Sequence, residues 1–217
     1  AIKSHTGSLA VADRVCESAF LQAGIVMARS LEELCDIVAA FKSPHLPRGR
    51  RVGILVDTGG GSVASADACE SAGLEVPVFP EEVQEALKEF LTGVIPPFSG
   101  IGNPVDLVWP KYEDHLSLFE GCLGIIAGPV DSLLMVTFHP LDDMDFLQKV
   151  GESRDRIRKP LFVLPAMPVH AHDGQGMKNY TSAGMPSYPV PHRAARAILA
   201  LAQYSDYLSR IEQRQIA

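Results

Sequence analysis

A histidine in a tight polar turn, Ser4-His5-Thr6-Gly7, stands just ahead of an apolar-periodic run that begins Ser8-Leu9-Ala10. Such a turn leaves the ring exposed. The free N–H groups at the start of the next helix can meet an anion. The imidazole is then well placed to carry a phosphoryl group. Alone, His5 would read as an ordinary turn residue, but a second feature points to the same chemistry. Asp57-Thr58-Gly59-Gly60-Gly61-Ser62 forms a glycine-rich strand-to-helix turn. Its glycines permit a close approach that side chains forbid. The helix that follows adds roughly half a positive charge at its start. A phosphate or a phosphohistidine suits such a cradle; the bland alternative is a tight turn with no ligand.

Other phosphate motifs fit less well. Gly59-Gly60-Gly61-Ser62-Val63-Ala64 satisfies the GxGxxA dinucleotide pattern, but Val78-Phe79 is followed by Pro80, so no acidic residue awaits a ribose. No Gly-Lys-Ser/Thr follows the turn, which excludes a P-loop. Gly102-Asn103-Pro104-Val105-Asp106-Leu107 is a third motif. Asn103 precedes proline and is expected to be extended. Asp106 either caps locally or faces the ligand, and both residues are candidate site-lining groups. His139, at the end of a strand, is a lesser candidate. Trp109 and Tyr112 either cover a crevice or pack. His115 and His192 read as solvated helix residues, and Tyr204 and Tyr207 as packing residues. His170, His172 and Asp173 have poor spacing for a metal, and no metal site is expected.

These groups need elements to hold them. Residues 8–23 have apolar positions at helical spacing, and Gly24 stops the run. Ile25–Ala28 reads as a short strand. Ser30-Leu31-Glu32-Glu33 is a capping box that opens a helix to about Phe41. Ser43–Pro47 breaks the pattern. Strands are then expected at Val52–Val56, Val76–Phe79, Leu133–Phe138, Leu161–Leu164 and Tyr188–Val190. Helices are expected at Ser62–Ala72, Glu81–Leu91, Asp142–Arg158 and His192–Tyr207. This alternation implies an α/β fold, a flavodoxin-like doubly wound parallel sheet with its ligand edge at the carboxyl ends of the strands. The expected division is 1–43 as a helix-strand-helix remnant of another α/β domain, 44–50 as linker and 51–217 as the flavodoxin-like domain. Val15, Phe20 and Ile37 in the remnant lack a home sheet. It is therefore expected to be mobile, packed in another pose, or exchanged between chains.

The 217 residues are 47% hydrophobic and 21% charged, which allows one sizeable core. A net charge of −7 argues against a nucleic-acid surface. No apolar run reaches the ~18 residues of a membrane span. Cys16, Cys35, Cys69 and Cys122 are far apart and suit reduced thiols in a cytoplasmic protein. The first three fall in helical patterns and read as small core residues. The abrupt start at Ala1 suggests a fragment.

Taken together, the chain resembles the NDP-forming acyl-CoA synthetases, relatives of succinyl-CoA synthetase. The matching residues are Ser4–Ala10, Ala23-Gly24-Ile25, Ser30–Leu34, Gly59–Ser62 and Gly102–Leu107. The match is weaker over Val108–Gly128 and Ala166–Ser187. The resemblance implies the end of the second domain and the third, ligase-CoA domain of such an enzyme. It implies thioester formation from an acid, CoA and ATP or another nucleoside triphosphate, through an acyl phosphate and a phosphohistidine relay. His5 would be the relay residue, and Gly59, Gly60, Gly61 and Ser62 would be phosphate-binding. CoA, ATP/ADP and Mg would bind mainly to CoA-binding and ATP-grasp domains outside this chain, in the same or a partner chain. A homo-oligomer is possible. The fragment alone is expected to be inactive. The alternative is a noncatalytic ligase-like module, for example the regulatory part of a protein acetyltransferase.

Overall fold

The structure, a computed structural model, describes residues 13–96, 99–166 and 174–216. Two short helices come first, α1 (Asp13–Gln22) and α2 (Leu31–Ala40). Then follow β1 (Val52–Val56), α3 (Gly59–Ala72), α4 (Glu81–Leu91) and β2 (Val105–Asp106). A 3-10 turn (Tyr112–Asp114) leads into α5 (His115–Ile126), β3 (Ser132–Thr137) and α6 (Met144–Ile157). β4 (Leu161–Pro165), α7 (Gly174–Ser182) and α8 (Pro191–Ile216) complete the chain.

The sheet is parallel in the order β2-β1-β3-β4. Strands β1, β3 and β4 are buried at every position, which their continuous apolar runs require when helices cover both faces. Alternate residues feed two cores. Leu55, Leu133, Met135, Leu161 and Val163 pack with Phe119, Leu123 and Phe146 of α5 and α6. Ile54, Val56, Leu134, Phe162 and Leu164 face the other way, onto Cys69 of α3 and Ala194, Ile198 and Leu201 of α8.

Two expected strands are reduced to single bridges. Glu75 pairs with Arg51 and Ser187 with Val163. Val76–Phe79 is not a strand, because β2 occupies the far part of the same β1 edge. Asn103 fills the gap between them. Its carboxamide accepts from Ile54 N (3.0 Å) and donates to Val52 O and Pro77 O (both 2.9 Å). The side chain thus completes a backbone ladder, as buried peptide groups demand. Asn103 is also not extended. Its φ is 101°, and the Asn103–Pro104 peptide is cis.

At the N-terminal end, Ile25–Ala28 pairs with no strand among the described residues. The capping box forms in altered register. Glu33 N bonds Ser30 Oγ, while Glu33 Oε2 accepts from Arg29 N instead of Ser30 N. α2 is docked on α8. Arg193 holds Asp36 through two bonds of 2.7 Å and reaches Glu32, and Arg196 holds Glu33. Ile37 and Ala40 are buried, whereas Val15 and Phe20 remain exposed. Of the three cysteines expected in the core, two are corrected: Cys69 is buried, as is Cys122, but Cys35 is exposed and Cys16 is half-buried. Among the described residues no helix is long and apolar enough to cross a membrane.

Candidate phosphate-binding site

β1 delivers the chain to the carboxyl edge of the sheet, and α3 begins at once. The three glycines form its first turn, so the helix opens at Gly59 and not at Ser62. Thr58 stands at the N-cap but makes no side-chain cap bond. Gly61 N bonds Thr58 O, and Ser62 Oγ donates to Gly59 O at 2.6 Å. The glycines differ in what they require. A Cβ on Gly61 would sit 3.0 Å from Thr58 Oγ1 and 3.3 Å from Val136 Cγ1, so packing explains that residue. A Cβ on Gly60 would meet nothing within 4 Å among the described residues, and its φ is not in the left-handed region. Glycine there costs about 0.5–1 kcal/mol against alanine with no packing gain. It leaves the start of the helix bare. Gly59 and Gly60 are exposed.

Acidic groups stand close by. Asp57 is 1% exposed. Its Oδ2 accepts from Thr137 Oγ1 (2.9 Å) and Phe138 N (2.7 Å), tying β1 to β3. Its Oδ1 is buried with no hydrogen-bond partner among the described residues. Burial pushes this carboxyl up to about 6, with the Asp106 charge adding to the shift and the two donors opposing it. Asp106 Oδ1 accepts from Val108 N, and its Oδ2 lies 3.4 Å from where a Gly59 Cβ would be. Asp106 therefore faces the start of α3, whereas Asn103 is spent on the sheet edge. Of the two candidate lining residues, one reaches the glycine turn.

A histidine–carboxylate pair extends the edge. His139 is 4% exposed. Its backbone N–H donates to Thr137 Oγ1, and its Nε2 lies 2.9 Å from Asp143 Oδ2. The ring stacks on Phe146 at 3.8 Å. Asp143 also caps α6 through Asp145 N and Phe146 N. The Phe146 N–H and then His139 hold its carboxyl below the usual range. His115 is buried, contrary to the solvated reading, because α5 turns it inward beside His139. Burial and then the neighbouring His139 lower its pKa. Trp109 is 66% exposed and stacks on Phe138 at 4.2 Å. Val108 and Trp109, both with positive φ, display that ring beside the turn. Sequence reasoning missed Asp57 as a separate group. Its clue is a lone carboxylate at the end of an all-apolar strand.

His5, and likewise His170, His172 and Asp173, lie outside the described residues. Among the described residues no cluster of three or more His, Cys, Asp or Glu side chains is arranged to hold a metal.

Two family models match the chain. The succinyl-CoA ligase like flavodoxin domain covers residues 1–41, and the ligase-CoA domain covers residues 52–141. A relative from Pyrococcus furiosus, acetate–CoA ligase [ADP-forming] I subunit alpha, is 32% identical over 99% of this chain and 46% of its own length. The II subunit alpha of that organism is 29% identical over 94% of this chain and 44% of its length. The chain thus spans less than half of these relatives. A solved structure from Ca. Korarchaeum cryptofilum, a dinucleotide forming acetyl-coenzyme A synthetase 1 in complex with phosphate and ADP, superposes with a TM-score of 0.76 at 28% identity. It covers 98% of this chain, and the match takes in 45% of that chain. The chain therefore belongs with the NDP-forming acyl-CoA synthetases, joining part of a succinyl-CoA-ligase-like flavodoxin domain to a ligase-CoA domain.

Proposed function

We propose that this chain is the phosphoryl-receiving part of an enzyme that joins a carboxylic acid to CoA with conversion of ATP to ADP and phosphate. The reading takes His5 as the group phosphorylated during turnover. The start of α3, at Gly59, Gly60, Gly61 and Ser62, cradles the transferred group. The observation that carries it is Gly60, a helical glycine that neither packing nor backbone conformation explains, at a bare helix start. Preorganised N–H donors there stabilise a transferring phosphoryl charge better than water does. A neutral imidazole nitrogen is a competent nucleophile near pH 7.

The donor set fits a phosphate but not a chelated metal, so Mg and the nucleotide belong to other domains in this reading. ATP and CoA supply the phosphoryl donor and the thiol. The residues of this chain orient the phosphoryl group and shield it. Asp57 steadies the turn from below through β3.

The test is incubation of the full-length protein with ATP labelled in the γ-phosphoryl group. An acid-labile, base-stable label is expected, and it is expected to vanish in His5→Ala. Label retained in that variant contradicts the relay. A second expectation concerns the 217-residue chain alone, which should form no acyl-CoA from acid, CoA and ATP. Turnover by it would show that the other domains are dispensable.

A further inference from the structure

A cleft of about 850 Å³ lies at the opposite, amino-terminal end of the sheet. Its walls come from the 44–48 linker, from Arg51 ahead of β1, from Asp131 ahead of β3 and from Arg158 and Lys159 ahead of β4. The five residues of β1 separate it from the start of α3, roughly 17 Å at about 3.3 Å per residue. The volume is in the range of small-molecule sites, about 300–1,000 Å³.

The lining is strongly cationic in a chain whose net charge is −7. Arg48, Arg51, Arg158 and Lys159 face one carboxylate, Asp131. That carboxylate is already consumed. Arg51 binds it through Nε (2.9 Å) and Nη2 (3.0 Å). Lys159 turns its ammonium to the carbonyls of Ala127, Gly128 and Val130. The Arg48 and Arg158 guanidiniums have no acidic partner among the described residues. His45 Nε2 is buried in the cleft wall without a hydrogen-bond partner among them. Burial, then Arg154, lowers its pKa, and Arg158 adds to that, so its surroundings favour a neutral ring over a further cation.

Arg158 adds an independent sign. It occupies the C-cap of α6 with φ 59° and ψ 38°, a left-handed conformation. Glycine is the ordinary choice there, and α3 uses Gly73 in the same role. A side chain in that conformation is strained relative to glycine. The position carries a guanidinium where glycine would relieve the backbone.

We infer that this cleft is a second anion site, taking the diphosphate group of a small nucleotide-type metabolite on Arg48, Arg158 and His45. Planar guanidinium forks match phosphate oxygens, and two unpaired forks suit adjacent phosphates. The concave shape favours a small molecule over a flat macromolecular contact. ADP and CoA both carry the required group. The inference stands on these residues and does not need the His5 relay.

The test is calorimetric titration, at low salt with pyrophosphate, ADP and CoA, of the purified 217-residue chain carrying Gly60→Asp, which closes the start of α3 to phosphate. Saturable binding of one molecule is expected, and whichever of the three binds tightest names the source. Arg48→Ala and Arg158→Gly, each added to that chain, are expected to weaken it about tenfold, one decade of affinity. Arg158→Gly is the sharper variant, because it relieves the left-handed backbone and should leave thermal stability equal or higher. Absence of saturable binding, or undiminished affinity in both arginine variants, would overturn the inference.

Discussion

Two polar side chains beside β1, the buried Asp57 and the half-buried Asn103, set the local energetics. Asp57 has its folded pKa raised from 3.8 to about 6. Between these values the folded state binds more protons than the unfolded chain, so stability falls as pH rises from about 4 to about 6 and then levels. A shift of this size corresponds to about 1–3 kcal/mol. Asp57→Asn keeps an oxygen for Thr137 and Phe138 and removes the charge. Urea midpoints should show the variant more stable by that amount at pH 8 and equal to the parent at pH 4. A variant less stable at both pH values would contradict the assignment. Asn103 acts through hydrogen bonds. Asn103→Ala strands Ile54 N, Val52 O and Pro77 O, and about 2–4 kcal/mol of stability should be lost. Asn103→Asp keeps only the bond from Ile54 N and should not restore stability.

Elements with clear periodicity or chemistry were legible in the sequence, and those defined by partners were not. β1, β3 and β4 stand where unbroken apolar runs put them, and α4 where the amphipathic pattern does. α5 has no polar face to mark it and contains Gly121 and Gly124, so its pattern reads as neither helix nor loop. α7, rich in glycine and polar residues, is equally silent. The edge strand was misplaced from Val76–Phe79 to Val105–Asp106, since only tertiary pairing decides which segment meets β1. The glycine run is legible as a strand-to-helix junction, but the helix takes in all three glycines instead of opening at Ser62. Asp57 and Trp109 emerged only once β3 and the Val108–Trp109 backbone were in place. The docking of α2 was unreadable, because its Asp36 and Glu33 look solvated until Arg193 and Arg196 of α8 arrive. Arg193→Ala should cost about 1–3 kcal/mol locally. Faster hydrogen exchange over residues 31–40, with unchanged protection in β1 and β3, is the expected signature.

Across the whole molecule the sheet separates two chemistries. Its carboxyl edge gathers a bare helix start, buried carboxyls and a histidine–carboxylate pair. Its amino end gathers unpaired guanidiniums around a cleft. The parallel arrangement makes this possible, because every strand ends on the same side and loops at one edge converge from distant parts of the chain. The central claim is that the first turn of α3 receives a phosphoryl group. Its most direct measurement is an amide NMR titration of the chain with inorganic phosphate. The Gly59 and Gly60 N–H signals should move together along one saturating curve, and Gly60→Asp should abolish that curve. Signals that stay fixed at these two amides while phosphate saturates elsewhere would contradict the account.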